Sequence, residues 1–301
     1  MSNFFSNIFL RNFFKYFYKI SHPKSFNHNR RYWPYFSVER NAQGFLDKVF
    51  YKNKLIADNT KKNKPINDTC VIIATGPSIN EIDMAFFRKQ EYDYFGLNGA
   101  ISLPDTNFKY YVIIDHDFIQ NKFNLVTQIL ENKKCIFFTT PRCLELILRK
   151  YPYEEVQCTL QIIETITEKK LERFLGPKII LSQSLNTFDI IEDSNFGFST
   201  EIFNAVYDYY TVAYVALQIA YYLNYKRILI AGLDMSNFTQ PRFYETVDDK
   251  QPTRLEEDFE AIFLAFNASA SFLKKNKVQV INLSINSSIH AFEKDKFQQF
   301  I

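Results

Sequence analysis

From about residue 67 onward, short apolar runs alternate with stretches whose apolar residues recur every three or four positions. The runs Cys70 to Ala74, Tyr94 to Leu97, Tyr110 to Ile114, Cys135 to Thr139, Lys178 to Leu181, Arg227 to Ala231 and Val278 to Leu283 have the length and continuity of buried strands. Helical spacing predicts helices over residues 79–88, 118–132, 142–150, 168–174, 201–223 and 254–274. Strand and helix in alternation predict an α/β fold, a Rossmann-type, mostly parallel sheet with helices on both faces. The helix before the Arg227 strand is apolar nearly all round, which predicts burial and makes that strand central. After it, residues 236–254 are polar and break the pattern, as a lid insertion beside a sheet's carboxyl edge would.

The first 66 residues follow a different rule. Phe4, Phe5, Ile8, Phe9, Phe13, Tyr16, Phe17 and Ile20 recur at helical spacing, while Arg11, Lys15 and Lys19 form an i, i+4 row on another face. Such a helix can lie in a lipid interface, or pack on its own domain or on a second subunit. The mixed stretch from His22 ends in the run Asn59 to Pro65, which reads as a linker. The expected division is an N-terminal, membrane- or partner-associating segment with its linker over 1–66, and one domain over 67–301.

Charge sharpens that division. Residues 1–38 carry six bases and no acid, whereas the rest of the chain has 33 acids against 30 bases. An anionic membrane surface is therefore an expected partner, at about 1 kcal/mol per base near the lipid. Nucleic acid is not an expected partner, and assembly of identical chains stays open. At 47% hydrophobic, with 32 Phe and 19 Tyr against 7 Gly, the chain is built to pack. Cys70, Cys135, Cys143 and Cys158 show neither CxxC pairing nor histidines at metal-ligand spacing, so reduced, buried thiols are expected. No run of 18 apolar residues and no cleavable leader pattern is present; the expected location is the cytoplasm, peripheral on the inner face of the cell membrane.

Two strand ends carry the candidate chemistry. Val71 to Ala74 runs into Thr75, Gly76, Pro77 and Ser78, where a glycine allows close backbone approach and Ser78 could cap a helix whose N–H groups suit a phosphate. The alternative is a plain tight turn. Tyr111 to Ile114 delivers Asp115, His116 and Asp117 to the carboxyl end of its strand, where open α/β sheets bind ligands. His116 is the candidate general base or acid there, with Asp115 beside it. The alternative has Asp117 merely capping the next helix and His116 solvated.

Taken in order, VIIATGPSINEID at 71–83, FGLN at 95–98, NYKRILIAGLDM at 224–235 and VINLSINSSI at 280–289 resemble the bacterial sialyltransferases of glycosyltransferase family 42, over roughly residues 68–295. The resemblance implies a variant GT-A fold of Rossmann type. It also implies metal-independent transfer of a nonulosonic acid, sialic acid or similar, from a CMP-activated sugar to a glycan or glycolipid acceptor such as lipooligosaccharide. The donor is then a substrate, and no cofactor or metal is expected. By position, Thr75, Gly76, Pro77 and Ser78 would surround the donor phosphate and ribose. Asn98 would be a donor-binding asparagine, Gly232 and Asp234 match the third motif, and Asn286 with Ser287 match the turn that contacts the cytidine. Arg242 and Tyr244 are candidate phosphate partners on the lid.

The departures are specific. Thr75 and Asp115 stand where the family has asparagines, Val212 where it has a serine, and residues 236–254 lack the family's general-base histidine. His116 is the preferred replacement and His290 the rival. A cousin using another CMP-sugar such as Kdo (3-deoxy-D-manno-octulosonic acid), a phosphotransferase or other nucleotide-dependent enzyme of the same fold, and a non-catalytic membrane-associated scaffold all stay open.

Overall fold

The computed structural model describes residues 8–181, 196–236 and 238–300; Phe4 and Phe5 of the expected first helix lie outside the described residues. In chain order the helices are α1 (Ile8–Ser21), α2 (His116–Asn121), α3 (Phe123–Leu130), α4 (Pro141–Lys150), α5 (Val212–Tyr222) and α6 (Phe259–Lys275). The strands are β1 (Phe36–Arg40), β2 (Leu46–Tyr51), β3 (Lys54–Asp58), β4 (Thr69–Ile73), β5 (Asp93–Leu97), β6 (Phe108–Ile113), β7 (Ile136–Thr139), β8 (Thr159–Ile162), β9 (Thr165–Thr167), β10 (Lys170–Glu172), β11 (Lys178–Ile180), β12 (Val206–Tyr207), β13 (Arg227–Ala231), β14 (Gln279–Asn282) and β15 (Glu293–Lys294).

Eight strands form one sheet in the order β15-β14-β13-β4-β5-β6-β7-β8, every pair parallel. Alternate residues of each strand feed two cores. Val71, Ile73, Tyr111, Ile113 and Phe137 face a layer built by α2, α3, α4 and the β1–β3 sheet. Cys70, Ile72, Phe95, Tyr110 and Phe138 face α5 and α6. Both faces being covered explains why these strands read as continuous apolar runs. The chain moves outward from β4 through β5, β6, β7 and β8, then returns to the other side of β4 through β13, β14 and β15. The strand order therefore reverses between β4 and β13, and in open α/β sheets the crevice at such a point is where ligands bind. All four cysteines are buried and free, as expected.

Residues 36–58 form a three-stranded antiparallel sheet whose Phe36, Leu46, Val49, Tyr51 and Ala57 enter the first core. Asn59, at the start of the stretch read as a linker, is buried. Its amide donates to the carbonyls of Leu46 (2.8 Å) and Ile162 (2.9 Å) and accepts from the Ile162 N–H (3.0 Å), which ties this sheet to β8. Glu164 does the same from the next strand junction, holding Arg40 and Arg173 with its fully buried carboxylate.

Several predicted helices differ. Residues 168–174 are not helical: Glu168 (φ 48°) and Lys169 (φ 60°) make a two-residue hairpin turn joining β9 to β10. Over 201–223 only α5 is helical, because Thr211 caps it and β12 upstream pairs with β9. Residues 77–88 form two 3₁₀ turns parted at Ile82 and Asp83, and Lys122 divides the expected 118–132 helix in two. The Lys178 strand lies in the small sheet β11-β10-β9-β12 rather than in the main one. Among the described residues no helix is long and apolar enough to cross a membrane.

Candidate active site

The carboxyl ends of β4, β5, β6 and β13 open into one cleft of about 640 Å³, a size that suits a nucleotide sugar. It lies at the switch point. Of the residues singled out in the sequence, Thr75, Gly76, Pro77, Asn98, Asp115, His116, Gly232, Asp234, Arg242 and Tyr244 line it. Ser78, Asn286 and Ser287 do not.

The first and third motifs hold each other. The backbone N–H of Ala74 donates to Ala231 O (2.8 Å) and that of Gly76 to Gly232 O (2.9 Å). The Asp234 carboxylate accepts both the Ser78 N–H (2.9 Å) and the Ser78 hydroxyl, with the Ser284 hydroxyl 2.8 Å from the latter. This revises two expectations. Ser78 does not cap a helix, since the element there is a five-residue 3₁₀ turn, and its N–H is committed to Asp234 instead of standing open to a phosphate. A Cβ on Gly76 would come within 2.6 Å of Gly232 O and of the Asp234 carboxyl carbon, so a valine there would disturb this junction before it could report on a ligand. Gly232 itself has φ +74°, a left-handed conformation natural to glycine.

Asp115, not Asp117, caps α2, accepting the Asp117 N–H at 2.8 Å. His116 is about half exposed, with Nε2 3.6 Å from Asp117. Asn98 adopts φ +45°, and its side-chain Oδ1 is buried without a hydrogen-bond partner among the described residues. Ser287 is buried and structural, its hydroxyl donating to Leu233 O (2.5 Å) and accepting from Ile289 N–H (3.0 Å), while Asn286 and His290 are exposed and His290 meets Lys294 at 3.1 Å.

The segment from Ser236 to Arg254 contains no helix or strand among its described residues and lines the cleft through Phe238, Gln240, Arg242, Tyr244 and Lys250. The buried carboxylate of Glu245 organises it, accepting Arg242 Nη1 (2.7 Å), the Arg242 N–H (3.0 Å) and the Gln251 N–H (3.3 Å). The Phe243 N–H donates to Thr75 O (3.3 Å), anchoring the segment to the first motif. Burial pushes the Tyr244 phenol up, so it stays protonated. Burial opposes the charge of the Arg242 guanidinium, but the adjoining Glu245 carboxylate favours it and the group is raised.

Sequence reasoning missed Asp208, which it had placed inside a helix. Asp208 lies between β12 and α5, lines the cleft, and has its Oδ1 buried without a hydrogen-bond partner among the described residues. Burial pushes its carboxyl up to about 6, and the charges of Asp115 and Asp258 add to the rise. Its neighbour Tyr210 (φ 59°), with Asn98 and Met235 (φ 46°), places three left-handed non-glycine residues on the cleft wall. Such strain concentrates at functional sites. No periodicity could have found Asp208; the available signal was Thr211 as a helix cap, which would have freed the preceding residues from the helix.

Residues 187–294 match the family model described as 3-deoxy-D-manno-octulosonic acid transferase WaaZ. That region carries β12, α5, β13 and the Ser236 to Arg254 segment, and so much of the cleft wall. Over 257 residues the chain is 25% identical to a probable 3-deoxy-manno-octulosonic acid transferase of Salmonella typhimurium strain LT2, covering 79% of this chain and 87% of the relative. The protein of the same name in Escherichia coli strain K12 is 23% identical over 262 residues, covering 81% and 87%. Among solved structures, the monofunctional α-2,3-sialyltransferase Cst-I of Campylobacter jejuni aligns with a TM-score of 0.43 at 15% identity, over 79% of this chain and 83% of that one. The sialyltransferase CstII of the same organism aligns with a TM-score of 0.40 at 13% identity, over 77% and 86%.

Proposed function

We propose that this chain is a glycosyltransferase that moves Kdo from its CMP-activated form to a lipopolysaccharide-type acceptor. The observation that carries the reading is one cleft at the β4/β13 switch point, walled in large part by the region that matches the Kdo transferase family model. The relatives named after Kdo favour this donor over the sialic acid expected at first, and the four ordered motifs favour the CMP carrier.

In the proposed reaction an acceptor hydroxyl attacks the anomeric carbon of Kdo. The new carbon–oxygen bond forms as the bond to the phosphate oxygen breaks, its electron pair leaving with CMP. Asp208 takes the hydroxyl proton: a carboxylate at about 6 is ionised at neutral pH yet basic enough to receive it. His116, exposed at the rim, contacts the acceptor. Arg242, with donors beyond the one given to Glu245, and the protonated Tyr244 receive the charge that develops on the phosphate. Asn98, whose oxygen has no partner among the described residues, takes a donor hydroxyl or amino group. The Ser236 to Arg254 segment closes over the donor as a lid.

Donor recognition is tested by thermal unfolding. CMP at about a hundred times its dissociation constant should stabilise the full chain by about 2.7 kcal/mol, while UDP at the same concentration leaves the midpoint unmoved. Equal or stronger stabilisation by UDP contradicts the reading.

A further inference from the structure

Away from the cleft, six cations converge on one small pocket. Arg11 and Lys15 come from successive turns of α1, Arg30 and Arg31 from the 3₁₀ turn Lys24–Arg31, and Arg142 and Arg149 from α4. The pocket encloses about 110 Å³, room for a group the size of a phosphate. Among the described residues the fully buried carboxylate of Glu145 pairs with two of the six, Arg142 (2.6 Å) and Arg149. Like charges held this close repel, and burial strips the water that would screen them. Burial first, and the neighbouring cations next, push Arg11, Lys15, Arg142 and Arg149 down, Arg149 to about 9. A bound dianion would reverse that repulsion, and guanidinium forks match phosphate oxygens two at a time.

The position of the pocket points to the source of the phosphate. Phe13, Tyr16, Phe17 and Ile20 of α1 are each more than half exposed, while Arg11 and Lys15 of the same helix line the pocket. The two sets lie on opposite sides of α1, so the pocket sits between this helix and the body of the protein, and a headgroup enters it past the edge of a helix that rests its apolar side on lipid. Arg142 lies in the first turn of α4, which starts just after the carboxyl end of β7. Arg149 lies in the last turn of the same helix, so the pocket runs along α4.

We propose that the pocket among Arg11, Lys15, Arg30, Arg31, Arg142 and Arg149 is a binding site for a phosphate monoester carried on a lipid. The proposal stands on residues outside the cleft and survives if the donor assignment fails. Its test uses the full chain and vesicles of phosphatidylcholine containing either phosphatidic acid or phosphatidylserine, matched for surface charge. Retention should be roughly tenfold stronger on phosphatidic acid, since the monoester enters the pocket and the diester of phosphatidylserine does not, and millimolar inorganic phosphate should compete it away. Arg30→Gln with Arg31→Gln should abolish that preference. Neither residue pairs with Glu145, so the double variant strands no buried carboxylate, and its unfolding midpoint in phosphate-free buffer should equal or exceed that of the unaltered chain. Equal retention on the two lipids overturns the proposal by reducing the cluster to a general basic patch. Stabilisation by inorganic phosphate without vesicle retention overturns the lipid source.

Discussion

Asp208→Asn is expected to lower turnover by about 10²- to 10⁴-fold, the usual worth of a general base, while making the protein more resistant to unfolding. Both effects have one cause. Asp208 is partly buried on the cleft wall, its Oδ1 lacks a hydrogen-bond partner among the described residues, and its carboxyl is raised to about 6. A carboxyl whose folded value lies above its unfolded one favours folding when protonated, so it penalises the folded state increasingly as pH rises from about 4 to about 6, and fully above that. Replacing it with a neutral amide should remove roughly 1–2 kcal/mol of that penalty at pH 7.5, since partial solvent contact screens the full shift. In the unaltered enzyme kcat/KM should fall below about pH 6 as the base takes up its proton. His116→Ala, removing a rim contact, should cost less and leave that pH limb in place. Near-full turnover in Asp208→Asn, with a dead His116→Ala, would return the base to the histidine.

Glu245→Ala should loosen the segment from Ser236 to Arg254 without dismantling the sheet. The buried carboxylate gathers Arg242 through both its guanidinium and its backbone N–H, and Gln251 through its N–H. Removing it leaves two amides and a guanidinium short of an acceptor, a loss of roughly 2–4 kcal/mol in the stability of the segment. Amide exchange over residues 238–254 should accelerate by more than tenfold and KM for the donor should rise, whereas exchange in β4 and β13 should stay unchanged. Glu245→Gln, which keeps an acceptor and the shape, should lie between. Unaltered exchange and KM in Glu245→Ala would show that Glu245 does not organise the segment.

The elements legible in the sequence were those whose patterning is decided locally. Strands buried on both faces read as unbroken apolar runs, and β4, β5, β6, β7, β13 and β14 appear within a residue or two of expectation. What escaped was decided by distant partners. β8 and the β1–β3 sheet depend on Asn59 and on packing contacts far along the chain. The Glu168 and Lys169 turn defeated a helical spacing that fits residues 168–174 equally well. At the site, strand-end position was enough to point to Thr75, Asp115 and His116, and the family resemblance added Asn98, Gly232 and Asp234; all six line the cleft. It could not say that Asp234 would spend its carboxylate on Ser78, that Asp115 would cap α2, or that Ser287 would turn inward to Leu233. Those are choices among partners brought together by folding. The cation pocket was half visible: the basic row on α1 stood out, but only the fold sets Arg142 and Arg149 of α4 beside it.

The most direct measurement is transfer itself. The purified full chain is given CMP-Kdo generated in place, a lipooligosaccharide acceptor, and in parallel CMP-sialic acid and UDP-sugars, and the acceptor is weighed by mass spectrometry. The account predicts a gain of one Kdo residue with release of CMP, from the unaltered chain and not from Asp208→Asn. Transfer from CMP-sialic acid or a UDP-sugar, with none from CMP-Kdo, would contradict it.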